Sequence, residues 1–288
     1  MMAAAINLRA MTMLARLLVF PLLLFATYAQ AASSAWVTTD GARLRLISMV
    51  DPATSRMLAA MQVDLEPGWK TYWREPGASG IPPHIHFLGS SNVGAPVLNF
   101  PVPKVFREAD GTSIGYKTRV LFPVSVTRGL PSNPATLSVT GVIGVCAEIC
   151  VPFQFASKVV QQPGERPAPE ISRLLQQANF AQGLAENTGD FVETVSIVSL
   201  PSGRPRHIEI LVKADGAAEA ELLPEGPSGW YLQPGKGVAL ADGRHRFEID
   251  LRDVPGGAKV AGQTIKLTLV AGDRSFEQSI RLPSAKSP

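Results

Sequence analysis

Apolar and polar residues alternate along much of the chain. Leu44 and Leu46 alternate with Arg43 and Arg45, and the same period of two recurs in residues 207–212, 246–251 and 265–269. This period is typical of a β-strand with one face in a core and the other in solvent. The turn dipeptides Asp110-Gly111 and Asp242-Gly243 lie between such runs. The pattern therefore predicts an all-β protein built from antiparallel β-sandwiches.

One segment departs from this alternation. Residues 162–169 are rich in proline, and residues 170–181 carry apolar residues at helical spacing. These apolar residues are Ile171, Leu174, Leu175 and Ala178. We therefore predict a Pro-rich and helical linker at 162–189, between a first sandwich domain at 32–161 and a second at 190–288. A single elongated sandwich with a helical insertion is the alternative.

The amino terminus has the pattern of a secretory signal peptide. Arg9 and Arg16 precede the apolar run 17–25, and Ala29-Gln30-Ala31 offers small residues for cleavage. The run has about nine residues, whereas a membrane-spanning helix needs roughly 20. We expect residues 1–31 to be removed on export and the mature chain to occupy the periplasm; a retained anchor is the alternative.

Composition narrows the function further. The formal net charge is only +3, and no cluster of basic residues interleaves with aromatic residues. We therefore expect no nucleic-acid partner. The chain has no Gly-x-Ser-x-Gly, phosphate-loop or His-Glu-x-x-His motif. We expect no hydrolase activity, no cofactor and no resident metal.

The two cysteines of the chain are Cys146 and Cys150. In a straight strand their α-carbons would lie about 13 Å apart, at roughly 3.3 Å per residue. A disulfide needs about 4.4–6.8 Å, so a disulfide between them requires the chain to reverse in a hairpin with residues 147–149 as its loop. Closing so short a loop stabilises a fold by only about 2 kcal/mol, and strained short loops make reducible disulfides. Redox or metal chemistry therefore stands beside a plain structural disulfide.

Charge near the cysteines indicates a direction for the chemistry. The loop holds Glu148 and no Lys, Arg or His. A nearby carboxylate disfavours the thiolate, so neither thiol is expected to be strongly acidic. Such a pair suits passing electrons onward better than acting as an oxidant.

Several motifs resemble one family. They are GWKTYWR at 68–74, Pro76-Gly77, SGIPP at 79–83, Asp110-Gly111, Gly115-Tyr116 and VCAEICVP at 145–152. Together they resemble the amino-terminal periplasmic domain of DsbD-type thiol:disulfide interchange proteins, in the branch that includes the ScsB (suppressor of copper sensitivity) proteins. The resemblance covers about residues 36–160.

The resemblance implies an immunoglobulin-like sandwich whose cysteine pair is catalytic. Cys150 matches the cysteine that forms the mixed disulfide with partners, and Cys146 matches the resolving thiol. The implied activity is that of a protein-disulfide reductase. The implied partners are periplasmic thioredoxin-like proteins, including disulfide isomerases and cytochrome c maturation factors.

The chain also departs from the family pattern. Full-length members add a membrane domain and a thioredoxin-like domain, and this sequence shows neither. The resemblance therefore implies a separate membrane protein as electron donor. The Cys-x3-Cys spacing is closer than in the best-known members.

Two other interpretations use the same residues. Thiolates prefer Cu(I), so Cys146 and Cys150 suit a copper-binding or copper-tolerance protein, with His84 and His86 on one face of a strand as further donors. An exposed polar face is the plainer explanation of these histidines. The second alternative is a non-catalytic scaffold with a structural disulfide.

No chemistry is assigned to the aromatic residues of the motif at 68–74 or to the second domain. Trp69, Tyr72 and Trp73 either shield the disulfide or simply pack in the protein. We expect the second domain to serve in packing or in docking a partner.

Overall fold

The computed structural model describes residues 32–77, 79–108, 111–185, 191–213, 219–272 and 274–284. The predicted signal peptide and Asp110 lie outside these residues. Within them every strand pair is antiparallel, so the prediction of an all-β, antiparallel fold is confirmed. No helix in the described ranges has the length and apolar character to cross a membrane.

The amino-terminal half of the chain forms eleven strands in two sheets. They are Val37–Thr39 (β1), Ala42–Val50 (β2), Met57–Leu65 (β3), Lys70–Gly77 (β4), His84–His86 (β5), Val97–Leu98 (β6), Lys104–Glu108 (β7), Gly111–Lys117 (β8), Arg119–Ser125 (β9), Ala135–Cys146 (β10) and Cys150–Gln161 (β11). The order is β1-β2-β3-β9-β6 in one sheet and β11-β10-β4-β8-β7 in the other, where β5 also pairs with β10.

Alternating side chains of these two sheets form one core. Leu44 and Leu46 of β2 are fully buried, as the alternation with arginine predicts. They belong to one cluster with Phe122 of β9 and with Trp73 and Val145 of the six-stranded sheet. The six-stranded sheet therefore has a core face, and its opposite face is called the outer face below.

The helix Pro169–Ala185 (α1) packs on the outside of the five-stranded sheet. Its residues Ile171, Leu174, Leu175 and Ala178 are buried against Ile47 and Met49 of β2 and Ala60 of β3. This contact explains why the second half of β2 carries apolar residues on both faces. The helix predicted at 170–181 is confirmed.

The carboxy-terminal half forms a second pair of sheets. Its strands are Val192–Ser199 (β12), Pro205–Lys213 (β13), Ala220–Glu225 (β14), Gly235–Lys236 (β15), Val238–Ala239 (β16), Arg244–Asp250 (β17), Thr264–Ala271 (β18) and Arg274–Arg281 (β19). The sheet orders are β12-β13-β17-β16 and β15-β14-β18-β19. The apolar residues of the alternating runs, such as Ile208, Phe247 and Leu267, are fully buried in a core of their own. Asp242-Gly243 forms the predicted turn, between β16 and β17.

The two pairs of sheets are joined by a charged contact. Arg74 of β4 donates hydrogen bonds to Glu225 of β14, at 2.7 and 2.9 Å, and to Glu277 of β19. Its guanidinium also lies over the ring of Trp73, 4.1 Å from the centroid. Leu223 of β14 is fully buried in the core of the first pair of sheets. The second pair of sheets therefore closes part of the first core.

The packing of α1 on the five-stranded sheet can be tested by mutation. Replacing the buried Leu175 with Ala leaves a cavity between the helix and β2, so we expect a loss of about 3 kcal/mol in the free energy of unfolding. The change is measured by urea denaturation of the mature chain. Gln176→Ala, on the exposed side of the same turn, is the control and should change the value by less than about 0.5 kcal/mol. Equal stability of the two variants would contradict the packing of this helix.

Candidate redox site

The two cysteines lie at the end of a long hairpin. Strands β10 and β11 pair without a register shift from Ala135–Gln161 to Cys146–Cys150, and residues 147–149 form the loop. Cys146 and Cys150 are joined in a disulfide, with their α-carbons 4.1 Å apart. The predicted reversal of the chain between them is confirmed.

The two bonded cysteine residues differ in exposure to solvent. Cys146 is 1% exposed, whereas Cys150 is an exposed residue at the start of β11. The adjacent Ile149, at the tip of the loop, is 76% exposed. Cys150 is therefore the more accessible residue of the pair.

Tyr72 is the side chain that contacts both sulfur atoms. Its hydroxyl oxygen lies 2.7 Å from Sγ of Cys146, to which it donates a hydrogen bond, and 3.2 Å from Sγ of Cys150. Tyr72 is 2% exposed, although it lies on the outer face of the sheet. A segment outside the core must therefore shield Tyr72 from solvent.

Glycines and a loop enclose the ring of Tyr72. A Cβ atom at Gly144 would lie 2.9 Å from this ring and 2.7 Å from Ile81, and one at Gly80 would lie 2.8 Å from the ring. The loop after β4 thus folds back over Tyr72, and its Ser79 carbonyl lies 4.0 Å from Sγ of Cys150. The SGIPP motif at 79–83 therefore covers the site.

Reasoning from the loop alone missed a lysine whose backbone is paired with that of Cys146. Lys70 of β4 is paired with Cys146 in the sheet register, and its side chain is 8% exposed. It forms an ion pair with Glu108 of β7, which also lies 3.6 Å from the ammonium of Lys117. The hydrogen bond from Lys70 lowers the pKa of the Glu108 carboxyl. The motif GWKTYWR contained this lysine, but only the strand pairing brings it beside Cys146.

The other two aromatic residues of that motif have packing roles. Trp73 is 1% exposed and belongs to the core of the first pair of sheets. Trp69 packs against the same core, and a Cβ atom at Gly41 would overlap its ring. Of the three aromatic candidates, the described contacts bring Tyr72 alone to the sulfur atoms.

His84 and His86 are both exposed on β5, on one face of a strand as predicted. His84 pairs with Val142, four residues before Cys146 on β10, which corresponds to about 13 Å at roughly 3.3 Å per residue. Among the described residues, the group of three His, Cys, Asp or Glu ligands within 4.8 Å of one another is His207, Glu209 and Glu248. The structure does not bring the histidines of β5 to the cysteines.

Comparison with solved structures identifies a similar fold. The crystal structure of the N-terminal periplasmic domain of ScsB from Proteus mirabilis matches with a TM-score of 0.68 and 21% sequence identity. The match covers 88% of this chain and 99% of that one. The predicted immunoglobulin-like, all-β fold is therefore confirmed. A comparison with curated protein sequences finds no match.

The match to a protein family is confined to the part of the chain that holds the cysteine pair. Residues 47–161 match the family described as thiol:disulfide interchange protein DsbD, N-terminal. This range begins in β2 and ends with β11, so it includes Tyr72, Lys70 and both cysteines. The resemblance predicted from the motifs is thus confirmed: residues 47–161 are similar to the DsbD N-terminal family.

Proposed function

We propose that this chain is a periplasmic thiol:disulfide interchange protein that passes electrons to partner proteins through Cys146 and Cys150. The observation that carries the proposal is the unequal exposure of two bonded cysteines: Cys150 is an exposed residue, whereas Cys146 is buried and accepts a hydrogen bond from Tyr72. Exposed disulfides are the more easily reduced ones, and structural bridges resist reduction. A bridge with a purely structural role has no need of an exposed cysteine.

The unequal exposure also supports distinct roles for the two cysteines. Thiol–disulfide exchange proceeds by attack of a thiolate on one sulfur atom and passes through a mixed disulfide. Cys150 is the exposed residue of the pair and is proposed to form the mixed disulfide with the partner. Cys146, held inside the site, is proposed to be the resolving thiol. In this view both residues are catalytic, and the activity is that of a protein-disulfide reductase.

The proposal includes partners and a compartment. Periplasmic thioredoxin-like proteins, such as disulfide isomerases, are proposed as recipients of the electrons, and a separate membrane protein as their donor. Export through a cleaved signal peptide at 1–31 would bring the chain to them. We further propose the domain limits 32–161 and 190–288, supported by the two clusters of buried residues, the first of which takes Leu223 as its one buried residue from the second pair of sheets. The second domain then serves in packing or docking.

The distinct roles can be tested by trapping. We expect the reduced Cys146→Ser variant to form a stable mixed disulfide with an oxidised thioredoxin-like disulfide isomerase, because the resolving thiol is absent. The complex is detected on a non-reducing gel and by its loss on reduction. Cys150→Ser is the matched control and should trap nothing, since Cys146 is buried. Trapping by neither variant would indicate a structural bridge, and trapping on Cys146 alone would reverse the roles.

Tyr72 offers a second test of the site. Tyr72→Phe removes the hydroxyl that donates to Cys146 but keeps the ring between the glycines. We expect reduction of the disulfide by dithiothreitol to slow by about fivefold, because one hydrogen bond to the leaving sulfur contributes about 1 kcal/mol. The rate is followed by stopped-flow fluorescence.

Tyr116→Phe is the control for Tyr72→Phe. Tyr116 is also buried, but its hydroxyl donates to the Pro101 carbonyl, at 2.8 Å, on the core side of the sheet. This variant should lose some stability and keep the wild-type rate of reduction. Equal rates for both variants and the wild type would show that the Tyr72 hydroxyl has no part in the exchange.

A further inference from the structure

Strands β13 and β17 present polar side chains on the face of their sheet that is turned away from the core. Ile208 of β13 and Phe247 of β17 are fully buried between the second pair of sheets. Because side chains alternate along a strand, His207 and Glu209 of β13 and Glu248 of β17 lie on the opposite face. His207 and Glu209 are half-buried there, and Glu248 is exposed.

The side chains of these three residues converge. Glu209 is directly opposite Glu248 in the register, and His207 lies two residues before Glu209 on the same strand. Each residue offers one ligand atom, an imidazole nitrogen or a carboxylate oxygen, and these atoms all lie within 4.8 Å of one another. Two ligand atoms bound to one zinc ion at about 2.0–2.2 Å are at most about 4.4 Å apart. Small rotations of the side chains, with no movement of the strands, therefore bring all three atoms onto one ion.

The charges on this face point to a cationic ligand independently of the distances. Among the described residues, no ion pair includes the carboxylate of Glu209 or Glu248. By contrast, Asp250, which is opposite His207, accepts a hydrogen bond from Arg252 at 2.7 Å. Like charges directly opposite each other destabilise an antiparallel sheet. A divalent cation between the two glutamates removes this repulsion, so charge and geometry indicate the same kind of ligand.

We propose that His207, Glu209 and Glu248 form a binding site for one divalent transition-metal ion, with zinc as the best fit. Zinc takes imidazole and carboxylate ligands in proteins, whereas Mg²⁺ and Ca²⁺ prefer oxygen ligands. Three protein ligands leave one position of a tetrahedral zinc ion for water. The site lies in a different sheet from the cysteine pair, and it does not depend on the proposed exchange function.

The expectation of no resident metal was based on motifs within single segments of the chain. The ligands of this site come from two strands that are distant in sequence, and the pairing of β13 with β17 brings Glu209 opposite Glu248. A site of this kind has no continuous sequence motif.

The test measures zinc binding by the mature chain with its disulfide intact, so that no free thiol competes for the ion. Titration calorimetry with zinc chloride should give one ion per chain. His207→Ala and Glu248→Gln should each weaken this binding at least about tenfold, since even residues that only support a metal ligand contribute about 10–100-fold to affinity. Magnesium chloride at the same concentration should give no binding.

His84→Ala is the matched control for His207→Ala. His84 is an exposed histidine on β5, and its replacement should leave zinc binding unchanged. The proposal is overturned if the wild type binds no zinc in a one-to-one complex. It is equally overturned if His84→Ala and His207→Ala weaken the binding to the same extent.

Thermal unfolding gives a second measurement for the case that His207→Ala does not fold. Without zinc, Glu248→Gln should raise the midpoint of unfolding, because it removes one member of a like-charge pair. Adding zinc should raise the midpoint of the wild type, since a ligand that binds the folded state alone stabilises it. The midpoint of Glu248→Gln should respond much less. An equal response of the two proteins to zinc would contradict the site.

Discussion

The unbroken pairing of β10 with β11 is the constraint on which the site depends. Because side chains alternate between the two faces of a sheet, a slip of one residue would move every side chain of the strand to the other face. The register from Ala135–Gln161 to Cys146–Cys150 fills the core with Val145, Phe153 and Phe155. The same register therefore places both cysteines on the outer face, next to each other and opposite Lys70. Core packing and cysteine geometry are two results of one pairing.

Strand β4 links this hairpin to the rest of the molecule. Tyr72 contacts the disulfide, Trp73 enters the core, and Arg74 binds carboxylates of the second pair of sheets. Four successive residues, from Lys70 to Trp73, are buried, and the loop at 79–83 covers Tyr72 among them on the outer face. Removing one partner of a buried ion pair leaves an unpaired charge and is strongly destabilising. The contacts of Arg74 thus make the second pair of sheets part of the support of the strand that carries the site.

The sequence was most informative where one short segment determines the structure. Period-two alternation identified strands such as those of Ile208 and Phe247, and the spacing of the cysteines required a reversal if they were bonded. It was least informative where strands distant in the chain meet. Nothing in the loop 147–149 indicates Lys70, because its proximity to Cys146 follows from the pairing of β10 with β4. The helix α1 was predicted from its spacing, but its packing on the five-stranded sheet was not, since apolar residues on both faces of a strand have several explanations.

The central claim is that this disulfide is built to be exchanged, and the redox equilibrium of the purified mature chain tests it most directly. The protein is incubated with graded ratios of reduced and oxidised glutathione, and the fraction of reduced cysteine is measured after thiol alkylation. The account predicts a reversible transition in the folded protein, with a reduction potential above about −300 mV, the level below which structural disulfides resist the glutathione pool. A disulfide that stays fully oxidised in the folded protein, even in millimolar dithiothreitol, would contradict it.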